Sequence, residues 1–227
     1  MNQFIYLDNS AITQVDPQIV EFTVEQLMSP PGNPSSWHSL GQIAKKKLLR
    51  SKELIAKSLG AASTNEIIFT SGGTEGLNML IFGIANTLPP GEIISTTIEH
   101  PAVQKPLAHL AKQNWQIITL PIDEYGAVQP SQLKEAITRN TKMIVISAVN
   151  HETGVQIDIK GIASICESYQ IPLIIDGVAL LGKGPIHLYK GITAMAFSGH
   201  KIHALPGVGF VYLRSGQVMT PLLHGGA

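Results

Sequence analysis

The chain has 227 residues, 44% of them hydrophobic, and its 16 basic and 16 acidic side chains give a formal net charge of zero: ample material for a buried core, and no basic face for nucleic acid. A charged fraction of 14%, against roughly 25% in ordinary soluble domains, predicts that a partner subunit or further sequence covers part of the surface. No apolar run approaches bilayer length, the start Met1-Asn2-Gln3-Phe4-Ile5-Tyr6 lacks a basic n-region, and a single cysteine excludes an intramolecular disulfide, so a cytoplasmic protein without membrane attachment is expected.

Apolar periodicity predicts helices over 17–28 and 40–59, a strand over 66–70, a helix over 74–85 and a strand over 93–97. The alternation continues with helix 101–112, strand 116–120, helix 130–138, strand 143–149, helix 157–169 and strand 172–176, then strands over 194–198 and 209–213. Strands separated by helices of ten to fifteen residues imply crossover connections. The expected fold class is therefore α/β: a mainly parallel sheet sandwiched by helices, with the last two strands antiparallel because no helix separates them. Within 157–169, Ile162, Ile165, Cys166 and Tyr169 share one helical face, so Cys166 reads as a core residue. The segment Ser29-Pro30-Pro31-Gly32-Asn33-Pro34-Ser35-Ser36 reads equally as an active-site or interface loop and as a connector.

Several strands end in polar clusters, and in open α/β sheets the carboxyl edge is where ligands bind. Ser71-Gly72-Gly73-Thr74-Glu75 joins a strand to a helix, where free amides and the helix dipole favour an anion; a phosphate cradle around Gly73 and Thr74 and a plain N-cap both fit. Asp176 closes the apolar run Leu173-Ile174-Ile175 as a partly desolvated carboxylate, suited to a protonated pyridine nitrogen or to a turn before Gly177. His100, followed by Pro101, projects at the same edge and could stack on a planar ring or move a proton. Lys201 follows a strand within Ser198-Gly199-His200-Lys201. Burial would lower its pKa and leave a neutral amine able to hold an aldehyde as a Schiff base. His200, His203 and His224 have no carboxylate or cysteine at metal-ligand spacing, so no metal is expected.

Taken together, Asp8-Asn9-Ser10-Ala11, Gly32-Asn33-Pro34-Ser35-Ser36-Trp37-His38, Thr70-Ser71-Gly72-Gly73-Thr74-Glu75, Glu99-His100, Asn150-His151-Glu152-Thr153-Gly154, Asp176 and Ser198-Gly199-His200-Lys201 resemble, in order and over essentially the whole chain, the cysteine desulfurases of the class V aminotransferases. The resemblance implies a homodimeric enzyme dependent on pyridoxal 5′-phosphate that takes sulfur from L-cysteine for iron–sulfur cluster or thio-cofactor supply, leaves alanine, and passes sulfur to an acceptor or scaffold protein. It implies an N-terminal arm over 1–15 and a cofactor-binding large domain over 16–227. Lys201 would attach the cofactor, His100 stack on its ring and Asp176 pair with its nitrogen, while Gly73, Thr74, Ser198 and His200 hold the phosphate; Asn33 and His151 would meet the substrate.

Three departures accompany the resemblance. Ala179 stands where the family has a glutamine that touches the ring's phenolic oxygen, and His151, which the resemblance places against the cofactor, stands where it has a second asparagine near the same oxygen and the substrate. The sequence ends at His224-Gly225-Gly226-Ala227, where relatives continue into a smaller domain carrying the nucleophilic cysteine and the arginine that binds the substrate carboxylate. Cys166 does not match that nucleophile. These 227 residues alone are thus expected to turn over cysteine weakly or not at all. Alternatives are a non-catalytic remnant acting through protein contacts and class V chemistry on another amino acid.

Overall fold

The structure, a computed structural model, describes residues 5–225. Most helices start where a cap is encoded. Asp16 accepts the Gln18 amide (2.8 Å) ahead of Pro17 to open α1 (Pro17–Met28), and His38 opens α2 (Ser39–Leu59), which Gly60 stops at φ 73°. The other helices are α3 (Gly73–Ala85), α4 (Pro101–Ala111), α5 (Pro130–Ala136) and α6 (Ile159–Tyr169). Asp158 caps α6 through the Gly161 amide, which moves its start two residues past the expected one.

The strands are β1 (Ile67–Thr70), β2 (Glu92–Thr96), β3 (Gln116–Leu120), β4 (Thr141–Ser147), β5 (Leu173–Asp176), β6 (Ala194–Ser198) and β7 (Gly209–Leu213). They form one seven-stranded sheet in the order β1-β7-β6-β5-β4-β2-β3. Only β7 runs against its neighbours, pairing antiparallel with both β6 and β1; the other ladders are parallel. The antiparallel end of the chain was legible in the sequence, whereas the position of β7 between β1 and β6 was not.

The central strands are buried on both faces, which is why β5 and β6 read as unbroken apolar or small runs. Period two then divides each strand between two cores. Ile144 and Ile146 of β4 pack with Leu59 of α2, Leu133 of α5 and Ile162 and Cys166 of α6; Met143 and Val145 pack with Leu80 and Ile84 of α3 and Val103 and Leu107 of α4. Cys166 is fully buried, as its helical face implied. On α1, by contrast, no residue is buried, and Phe22, Leu27 and Met28 stand 59%, 78% and 83% exposed.

All strands but β7 point their carboxyl ends to one edge, and the following loops gather there. Residues 8–16 cross this edge as a strap: the Thr13 amide and hydroxyl both donate to the His200 carbonyl (2.8 and 2.9 Å), and the His203 amide donates back to the Thr13 hydroxyl (2.7 Å).

Candidate active site

A cavity of about 520 Å³ opens at this edge, within the range that holds a cofactor-sized molecule. Gly73, Thr74, His100, His151, Asp176, Ser198, His200 and Lys201 line it, together with Ser147, Val178 and Ala179. Eight side chains or amides singled out from sequence thus converge on one space. Asn33 does not. It is exposed, its side-chain carbonyl accepts the Ser35 amide (2.9 Å), and its loop is packed on the start of α2, where Gly32 lies too close to the Leu40 carbonyl for any side chain.

The anion-binding corner is built from glycine. At Gly72, φ 155° with ψ −176° suits glycine alone, and a Cβ on Gly73 would lie 2.5 Å from Val178. The turn starts α3 with no side-chain cap. Glu75 reaches back to the Ser71 amide (2.7 Å) and the first helical bond is Gly76 to Gly72, so the Gly73 and Thr74 amides remain unused within the helix. The Thr74 hydroxyl is likewise not spent as a cap, which separates the cradle from the simple N-cap. Opposite stands the fully buried Ser198, whose hydroxyl lies 2.8 Å from His200 Nδ1.

Asp176 forms the floor at 7% exposure. One carboxylate oxygen accepts the Val178 amide (2.9 Å), the turn that the sequence suggested; among the described residues this is its only hydrogen bond, so the other oxygen is left to the cavity. Burial pushes its pKa up, opposed by that amide and by the positive fields of His151 and Lys201. A buried carboxyl in this state is a seat for a cation or an N–H donor.

His100 is the N-cap of α4: the Ala102 amide donates to Nδ1 (3.0 Å), which fixes the proton of the neutral ring on Nε2. Burial, then His151 and Lys201, hold its pKa below the ordinary imidazole value. The His151 ring meets it edge-on, centroids 4.9 Å apart at 80°. His151 rides on a loop organised by buried Asn150, which accepts the Glu152 and Thr153 amides (3.0 and 2.8 Å) and donates to the Ile98 carbonyl (3.0 Å). Lys201 closes the short helical turn Gly199–Lys201 after β6, and its amine donates to the Ser10 carbonyl of the strap. Burial lowers its pKa, helped by Lys183 and opposed by Asp176 and Asp8. A lysine eased toward its neutral form, beside a carboxyl that wants a positive partner, is equipped for covalent capture of an aldehyde.

The model of the aminotransferase class-V family matches residues 5–227. The chain belongs to the class-V aminotransferase family. Among similar proteins, a "Cysteine desulfurase IscS" of Methanosarcina thermophila is 40% identical over 100% of this chain and 56% of its own length. One of Dictyoglomus turgidum is 37% identical over 100% and 58%. A solved structure titled "NIFS-LIKE PROTEIN" superposes with TM-score 0.94 at 33% identity, over 98% of this chain and 62% of that one, and "SspA in complex with cysteine" does so with 0.93 at 30%, over 97% and 65%. This class-V chain spans somewhat more than half the length of the curated relatives it matches.

Three contributors were not singled out from the sequence. Ser147 and Val178 sit on or just beyond strand ends and resemble packing residues, and the Ser10 group that meets Lys201 is a backbone carbonyl, which no side-chain pattern reveals.

Proposed function

We propose that this chain is the pyridoxal 5′-phosphate-binding part of an enzyme of the cysteine desulfurase type. The observation that carries the reading is the convergence of the Lys201 amine, the half-free Asp176 carboxyl and the His100 ring on one cavity that has a glycine-built anion cradle at one end. The donor set fits the cofactor chemically: an amine for its aldehyde, a carboxylate for its ring nitrogen, a flat imidazole for its face, and amides and hydroxyls for its phosphate. Gly73, Thr74, Ser198 and His200 would hold the phosphate, and His151, on the cavity wall beside His100, would meet an amino-acid substrate; we extend the substrate contacts to Asn33 only in an assembly that closes its loop over the cavity.

When bound, the group supplies an electron sink. The chain does the rest. Asp176, ionised beside a cation, would keep positive charge on the cavity floor, and the Lys201 amine would hold the group's aldehyde or carry a proton. His100 holds or yields a proton at Nε2 because Nδ1 is occupied by the Ala102 amide. L-cysteine as substrate is supported by the relatives named as desulfurases and by the neighbour solved with cysteine. The apolar surface of α1 and α2, including Phe22, Leu27 and Leu54, together with the low charged fraction, supports a homodimer; the arm expected over 1–15 lies partly outside the described residues. Among the described residues no helix is long and apolar enough to cross a membrane.

Incubation with pyridoxal phosphate, reduction with borohydride and peptide mass spectrometry test the reading. A pyridoxyl group on Lys201 is expected, and its loss in Lys201→Ala. No adduct on the wild-type chain, under conditions that label a known pyridoxal enzyme, would overturn it.

A further inference from the structure

Glu99 is a carboxyl that the chemistry above leaves unused, and it lies behind the cavity at 3% exposure. It belongs to the loop between β2 and α4 and directly precedes His100. One oxygen accepts the Thr96 hydroxyl (2.7 Å), the other meets the Ser147 hydroxyl, and among the described residues neither is hydrogen-bonded to a cation. Ser147 ends β4, lines the cavity, and is the register partner of Asp176 on β5. Two buried carboxyls therefore flank one serine. Ionising both would set like charges against each other in a poorly solvated place, which disfavours the doubly charged pair. Asp176 faces the cavity together with His151 and Lys201; Glu99 faces Thr96 from β2, Ser147 from β4 and Asp176 from β5.

We propose that Glu99 is a positioning residue: as an uncharged carboxylic acid it ties the loop carrying His100, through the Ser147 hydroxyl, to the strand edge beside Asp176 and leaves the charge of that edge to Asp176. A neutral acid can donate to the Ser147 hydroxyl, which has no other partner among the described residues, while it accepts the Thr96 hydroxyl, which itself takes the Ile98 amide. Burial pushes the Glu99 carboxyl up and Asp176 adds to the push, against the two hydroxyls. The loop has a second anchor one residue earlier, the Asn150 bond to the Ile98 carbonyl. With both in place His100 stays at once on the helix end and against His151.

The inference builds on the reading of the cavity, but both of its readouts use the unliganded 227-residue chain, so its failure is distinguishable from failure to bind pyridoxal phosphate. The first is the side-chain carbonyl resonance of ¹³C-labelled glutamate, assigned by its disappearance in Glu99→Gln. It is expected to remain that of a protonated acid at pH 7, where exposed glutamates are ionised. The second is the titration of the His100 ring by NMR. Glutamine keeps the shape and both hydrogen bonds, so E99Q is expected to retain the depressed His100 titration, while Glu99→Ala moves it back toward the ordinary imidazole value. An ionised Glu99 at pH 7, an E99Q chain that fails to fold, or an E99Q chain that shifts His100 as far as E99A does would each overturn the proposal.

Discussion

Replacing Gly209 with alanine tests whether the anion cradle is held by close backbone approach. Gly209 begins β7 and is paired on both sides, to Thr70 of β1 and Ser198 of β6. A Cβ there would stand 2.6 Å from Cα of Gly72 and 2.6 Å from the Phe197 carbonyl oxygen. Ordinary contact begins at 3.4 Å, so about 0.8 Å must be found, and the obstructing atoms are backbone rather than the end of a flexible side chain. Overpacking of this kind costs about 1–3 kcal/mol, and with two ladders resisting the shift the upper half of that range is expected. For a chain of this length that lowers the melting temperature by about 4–12 °C. Because the displaced strand is the wall against which Gly72 rests, pyridoxal phosphate affinity should fall as well. Gly207→Ala is the control: φ is +84° but nothing lies within 4 Å, so only left-handed strain of about 1–2 kcal/mol applies and the cradle is untouched. Thermal melts and equilibrium dialysis on both variants decide the matter. A G209A chain that melts and binds like the wild type would refute the close-approach account.

Asp176→Asn should leave the unliganded chain no less stable, since it removes a buried carboxyl whose desolvation outweighs the help of the Val178 amide, His151 and Lys201, yet weaken pyridoxal phosphate binding about 10- to 1,000-fold, the equivalent of one to three pKa units of lost pairing; urea melts and dialysis read the two effects separately. The depressed pKa of His100 means that the folded state binds fewer protons there than the unfolded state, so its contribution is present above the ordinary value of 6.5 and is lost as pH falls through the folded value. Urea melts at pH 7.5 and 5.5 should therefore show a larger acid loss for the wild type than for His100→Gln, whereas equal losses would count against that assignment. The Cys166 thiol, fully buried and pushed up to about 12 chiefly by desolvation, should react with an aromatic disulfide at pH 8 only at the rate of global unfolding. Fast labelling of the native chain would contradict its place in the core.

The elements most legible in the sequence were those bounded by turn chemistry. Helix α1 and strands β3, β6 and β7 have the limits expected from Asp16-Pro17, from flanking polar residues and from Gly209. Strand β4 came out shifted toward its start: Thr141 and Lys142 join the ladder beside Glu92, while Val149 leaves it for an isolated bridge to Gln156, a choice made by neighbours rather than by local propensity. Helix α5 stops at Ala136 because Ile137 turns to an extended ψ of 126°, although the helical pattern runs on. At the site, Lys201, Asp176, His100 and the glycine turn could be brought together on paper because each ends a strand and a parallel sheet delivers such residues to one edge. The link from Glu99 to Ser147 could not, since it joins residues 48 positions apart and neither carries a local signal of burial. Asn33 was selected by its motif alone, and its own turn occupies it here.

Among the described residues strand β1 has β7 as its sole neighbour in the sheet, so residues 67–70 wait for residues 209–213 before they have a partner. On the ribosome this order of arrival matters. An N-terminal nascent segment cannot complete the glycine turn after β1, because that turn hangs from a strand still without a mate until residues 209–213 emerge. Completion of the glycine turn therefore follows the emergence of β7, and any folding helper that shields the orphan edge meanwhile would act on β1.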